Sequence, residues 1–77
     1  MSKLEIQINL SVDKSGGEEK LPMVIEKIKE AVASKYPQAD IVVRKGYFKT
    51  IDGIWSSDST IENDIKNIIA DVRKQVL

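Results

Sequence analysis

Four residues within six positions, Arg44, Lys45, Tyr47 and Lys49, offer the chemistry of a nucleic-acid-reading loop. Cations would meet phosphates, and an aromatic ring would stack on a base. They belong to the stretch VVRKGYFKTIDGIW (42–55), which is rich in basic and aromatic residues and carries two glycines. A second arrangement, Asp52 and Asp58 flanking Trp55, has the look of paired carboxylates, a starting point for general acid and base work. Neither goes far. Lys45-Gly46-Tyr47 opens like the RNA-reading signature K/R-G-F/Y-G/A-F-V-x-F/Y. Phe48 then stands where a small residue is needed, Lys49 where a stacking aromatic is needed, and Asp52 at the final aromatic. The two carboxylates have no group to orient them, and Gly16-Gly17 lacks the G-x-x-x-x-G-K-[ST] context of a phosphate loop.

The totals narrow the chemistry further. The chain has no cysteine, which removes disulfides and thiolate metal sites, and no histidine, which removes the commonest general base and metal ligand. The expectation is therefore no catalytic residue, no cofactor and no metal. Twelve basic residues balance twelve acidic ones, giving a net charge of zero. A dedicated nucleic-acid binder draws most of its affinity from a basic excess, so this role stands as the alternative, through Arg44, Lys45, Tyr47 and Lys49. With 77 residues, one domain spanning 1–77 is expected. No apolar run approaches the roughly 20 residues that cross a bilayer. MSKLEIQINL lacks the basic-then-apolar order of a signal peptide, so a cytoplasmic location is expected, with no membrane partner.

The elements that must position these residues are legible from their periods. In KLEIQINLSV (3–12), Leu4, Ile6, Ile8, Leu10 and Val12 alternate with Lys3, Glu5, Gln7, Asn9 and Ser11, the period of a strand with one buried and one wet face. DKSGGE (13–18) is a turn segment. From Glu18 to Tyr36, Leu21, Val24, Ile25, Ile28, Ala31, Val32 and Lys35 make one helical stripe. Pro22 fits the first turn, and Pro37 ends the helix. DIVVRK (40–45) is β-branched and predicts a second strand, and TIDGIW (50–55) a third. Strands two and three are expected to pair as a hairpin, turning either around Lys45-Gly46 or at Asp52-Gly53. The turn around Lys45-Gly46 gives two strands of comparable length and places Lys45, Tyr47 and Lys49 at an exposed tip, while Trp55 is expected at the edge of the core. Ser59 and Glu62 form the S-x-x-E capping box of a last helix, whose apolar face is Ile61, Ile65, Ile68, Ile69, Val72 and Val76. Glu62, Asp64 and Asp71 lie on this helix with Lys66, Arg73 and Lys74, a distribution that the helix dipole favours. Glu62 and Lys66 are also spaced for an i, i+4 pair.

The order β-α-β-β-α predicts an α+β fold: a three-stranded mixed sheet with two helices packed on one face. In this setting KYPQADIVVRKG (35–46) resembles the DNA-damage-inducible protein I (DinI-like) family. There, a first helix ends in an aromatic-proline pair, here Tyr36-Pro37, and a strand with a V-x-V-R core follows, here Val42-Val43-Arg44. IDGI (51–54) is similar to the family's third strand, and STIENDIKNII (59–69) to its capped second helix. The resemblance implies a small regulator that binds the recombinase RecA and modulates its filament on single-stranded DNA. In that family the acidic face of the second helix, continued by an acidic tail, contacts RecA in imitation of DNA charge. The matching positions here are Glu62, Asp64 and Asp71, accompanied by three basic residues. The function expected is a protein-binding regulator, monomeric or weakly dimeric. The regular first strand and capped last helix also suit a designed scaffold with no natural partner, because designs obey local rules closely.

Overall fold

A computed structural model of the chain describes residues 3–48 and 50–77. Strand β1 (Glu5–Leu10), helix α1 (Leu21–Lys35), strands β2 (Asp40–Lys45) and β3 (Gly53–Ser56), and helix α2 (Glu62–Val76) follow in that order. The fold is α+β, as the element order predicts. Ile6, Ile8 and Leu10 carry no exposed surface, and the two helices close over them with Val24, Ile28, Val32, Ile65, Ile69 and Val72.

The strand order is β2-β1-β3, and this corrects the expected hairpin. β2 runs parallel to β1 from Glu5↔Asp40 to Leu10↔Lys45, while β3 pairs antiparallel on the other edge, from Ile6↔Ser56 to Asn9↔Gly53. Residues 46–48 and 50–52 lie on the path across the end of β1, so neither a loop around Lys45-Gly46 nor a turn at Asp52-Gly53 pairs β2 with β3 as a hairpin. Two hydrogen bonds hold the crossing down. Gly46 N–H donates to the Leu10 carbonyl at 3.0 Å, and Ser11 N–H donates to Asp52 Oδ1 at 2.7 Å. A Cβ at Gly46 would stand 3.2 Å from Asn9 Cβ, so the small residue serves the close approach to β1.

The helices begin later than their periodicity suggests. A 3-10 turn (Asp13–Ser15) follows β1 and is ended by Gly16 and Gly17 at φ 81° and 90°, values that L side chains rarely adopt. Leu21 then opens α1 with Pro22 in its first turn. At α2 the expected capping box is replaced. Asp58 is the extended residue, and its Oδ1 accepts from Thr60 N–H at 3.0 Å and Thr60 Oγ1–H at 2.6 Å. A 3-10 turn (Ser59–Ile61) then leads into the helix, so Ser59 caps nothing and Glu62 starts α2.

Two further expectations change with the topology. Trp55 is 49% exposed, and it lies opposite Gln7 on the uncovered face of the sheet instead of at the core edge. Period two explains this: once Ile54 pairs with Ile8 on the buried face, Trp55 must point the other way. Ser11, assigned to the wet face, is fully buried beneath the crossing, where its hydroxyl accepts from Lys14 N–H.

Ile8→Ala, at the centre of β1, should cost about 3 kcal/mol in urea unfolding, whereas Gln7→Ala, one residue away on the open face, should cost no more than about 0.5 kcal/mol.

Candidate functional site

Both helices cover the same face of the sheet, which leaves the other face open. Register arranges its side chains in rows. Val42, Gln7 and Trp55 form one row, and Arg44, Asn9 and Gly53 the next. Arg44 Nε donates to Asn9 Oδ1 at 3.0 Å, which lays the guanidinium along the face. Asp40 and Glu5 share the far row, with Lys3 Nζ 3.0 Å from Asp40 Oδ2. Val42 and Trp55, at 45% and 49% exposure, flank the polar centre strand on either side.

The crossing segment extends this surface. Tyr47, Phe48 and Ile51 are all exposed there, Tyr47 completely. With Asn9, Gly46 and Gly53 they line a recess of about 210 Å³ at the end of the face. Of the four residues proposed to read nucleic acid, Arg44 lies on the open face and Tyr47 at its margin. Lys45 points to the helical side, where its Nζ meets Glu18 Oε1 at 2.8 Å. Lys49 lies outside the described residues.

The three acids of α2 are not on one surface. At about 100° per residue, Asp64 and Asp71 project within about 20° of each other, while Glu62 projects about 160–180° from them. Asp64 faces α1. Its Oδ1 accepts from Lys35 Nζ at 2.7 Å, and its Oδ2 accepts from the Tyr36 hydroxyl. The hydrogen bonds from Lys35 and Tyr36 hold its carboxyl below the usual carboxylate range. The same bond to Asp64, with burial, pushes the Tyr36 phenol up to about 12. Asp71 is exposed. Glu62 and Lys66 sit on the β3 side of α2, lining one recess with Asp52 and Lys14. They form no ion pair among those found in the described residues.

The two aspartates beside Trp55 are also occupied. Asp58 is the cap, and hydrogen bonds from the Thr60 hydroxyl and amide hold its carboxyl below the usual range. Asp52 takes two parallel bonds from Arg73, at 2.7 and 2.8 Å, in addition to the Ser11 amide. Arg73 Nη2 also donates to Ser15 Oγ at 3.0 Å. Burial disfavours the Asp52 charge, but the bonds from Arg73 and Ser11 outweigh it and keep the carboxyl low. The sequence reading missed this pair, because Arg73 stood only as a dipole-complementing base. Its place beside the apolar stripe, next to Val72 and one turn after Ile69, was the available signal.

Among the described residues, no group of three or more acidic residues is placed to hold a metal ion, and no helix is long and apolar enough to cross a membrane. No family model, curated protein or solved structure matches the chain.

Asp52→Ala would strand the Arg73 charge in a largely buried site and should cost about 3 kcal/mol by denaturant unfolding. Replacing both, as Asp52→Ala with Arg73→Met, should cost less than Asp52→Ala alone. The Asp52 carboxyl is depressed in the fold, so its contribution is present above the usual carboxylate range and is lost as pH falls through the lowered value. Tyr36 has the opposite sign. Its contribution is present below about 10 and is lost as pH rises through about 12. A tyrosinate absorbance titration should show this late step, and Tyr36→Phe should remove it.

Proposed function

We propose that the chain is a small non-enzymatic protein-binding regulator that docks through the open face of its sheet. The observation that carries this reading is the set of large apolar side chains exposed on that face and its margin: Trp55, Val42, Tyr47, Phe48 and Ile51. Isolated exposed apolar residues are ordinary. A set on one face and its margin that includes tryptophan and tyrosine, beside an arginine, has the composition of interface hot spots. The carboxylates that would serve an enzyme, Asp52 and Asp58, are bound up in structural bonds, which favours binding over catalysis.

RecA, the partner implied by the DinI-like resemblance, is the first partner to test. The surface implied by that resemblance is α2, through Glu62, Asp64 and Asp71. The geometry supports the sheet face better, because Asp64 is held by α1 and Glu62 projects away from Asp71. A second reading, a single-stranded nucleic-acid module, has one observation in its favour: Trp55 joins Arg44 and Tyr47 around the same face as a stacking platform. Glu5 and Asp40 on that face weigh against phosphate.

The test is the fluorescence anisotropy of the labelled chain, titrated with RecA filaments and, separately, with short single-stranded oligonucleotides. Binding to RecA is expected, with Trp55→Ser and Phe48→Ser each weakening it about tenfold or more, and Glu62→Lys and Asp71→Lys changing it little. The reverse pattern would move the site to α2. A flat RecA titration would remove that partner. Salt-sensitive binding to oligonucleotides, lost in Arg44→Ala, would establish the second reading instead.

A further inference from the structure

Strand β2 is the edge of the sheet, and its six residues carry no proline and pair with β1 in unbroken register. Asp40 N–H donates to the Leu4 carbonyl and Gly46 N–H to the Leu10 carbonyl, so the even-numbered residues direct their backbone groups at β1. By alternation, Ile41, Val43 and Lys45 direct theirs at the free edge. An edge of this kind is a template for another strand.

We infer that the second strand is β2 of another copy of this chain, paired antiparallel about a two-fold axis at Val42. The register follows from three constraints. An isologous pair that joins the two sheets must match outward-facing residues with outward-facing ones, so the axis passes through a residue and not between two. Centring on Val42 sets Ile41 opposite Val43, and both present N–H and C=O to the edge, as a hydrogen-bonded pair requires. It also sets Asp40 opposite Arg44 of the second copy, twice, on the open face, in the close non-hydrogen-bonded positions. Centring on Val43 instead would oppose Arg44 with Val42 and Asp40 with Gly46, losing both charge pairs.

The side chains are available for this. Asp40 is 57% exposed, with only Oδ2 engaged by Lys3. Arg44 spends only Nε on Asn9. Ile41 and Val43 are packed against the core yet half-buried at this edge, so pairing each with the other's counterpart carries the core across the axis. The product is one six-stranded sheet, with β3 outermost at both ends and the α1 helices flanking the axis on the inner side.

Sedimentation equilibrium tests the pairing with two charge reversals. The wild-type chain should self-associate to two copies as its concentration rises. D40R alone opposes arginine with arginine, and R44D alone opposes aspartate with aspartate. Each should weaken association about tenfold or more. When the two variants are mixed, both arginines of the D40R chain meet aspartates of the R44D chain. The mixture should therefore recover a dimer containing one of each. V42E, at an exposed position, sets two carboxylates on the axis and should also yield monomers. Circular dichroism checks that each variant is folded. A wild-type chain that stays monomeric to its solubility limit would show that the α1 helices close the edge, and it overturns the pairing. Dimers that persist in V42E, or a D40R and R44D mixture that stays monomeric, overturn it equally.

Discussion

With both edges of β1 hydrogen-bonded and Ile6, Ile8 and Leu10 stripped of water, every other element of the molecule is placed by its relation to six residues. A chain of 77 residues has little apolar surface to bury, and a central strand that serves two neighbours and two helices uses it well. The alternative hairpin would have put β2 in the middle. Its inner-facing residues are Ile41, Val43 and Lys45, and the last of these is a cation that reaches out to Glu18. β1 offers three branched aliphatic residues on its inner face and no charge there. The central place goes to the strand that can be buried along its whole inner face.

Putting β1 in the centre makes the crossing segment necessary, and the crossing in turn requires a fastening. Residues 46–48 and 50–52 must pass over the end of β1 with little apolar content to hold them down, since Tyr47, Phe48 and Ile51 face solvent. Asp52 supplies the hold. It takes the Ser11 amide at the end of β1 and the forked guanidinium of Arg73 near the end of α2, and Arg73 also reaches Ser15 in the turn before α1. Three parts of the chain distant in sequence, residues 11–15, Asp52 and Arg73, are tied together around one carboxylate. Fork-shaped pairing fixes direction as well as distance, which a single apolar contact would not.

This explains which parts of the structure were legible in the sequence. The period-two run of β1, the stripe of α1 and the stripe of α2 depend on local repetition, and all three elements lie within the segments where repetition put them, with later helix starts and a shorter strand. β2 coincides with DIVVRK residue for residue. The strand order was not legible, because hairpin adjacency is a default for neighbouring strands, and only the competition between β1 and β2 for the centre overrides it. Ser11 and Trp55 were misplaced for the same reason: each belongs to a face set by pairing partners far away in the chain. The capping residue slipped by one, from Ser59 to Asp58, because both match the side-chain chemistry of a cap and only backbone geometry chooses between them. At the candidate sites, Arg44 and Tyr47 were found by type, but their neighbour Trp55 came to the same surface only through β3 register.

The open face follows from the same arithmetic of size. Two helices cover one face of three strands, and nothing in the described chain is left to cover the other. The centre of this face is polar, where β1 provides Glu5, Gln7 and Asn9. The apolar residues are displaced to the flanks, Val42 on one edge strand and Trp55 on the other. The flanks then have separable roles. Val42, Asp40 and Arg44 stand on the strand whose backbone is free to pair, whereas Trp55, Phe48 and Ile51 gather on the side of the crossing and β3. Pairing two copies through β2 would consume the first group and leave the second as accessible as in a single chain. A dimer would therefore present two tryptophan-centred surfaces on one continuous sheet, facing the same way at opposite ends. Two linked surfaces raise the effective concentration for a second contact without any new interaction in the first. A repeating partner, such as a protein filament, is the kind of target on which that gain is greatest, provided that the spacing of its repeats matches the span of the sheet.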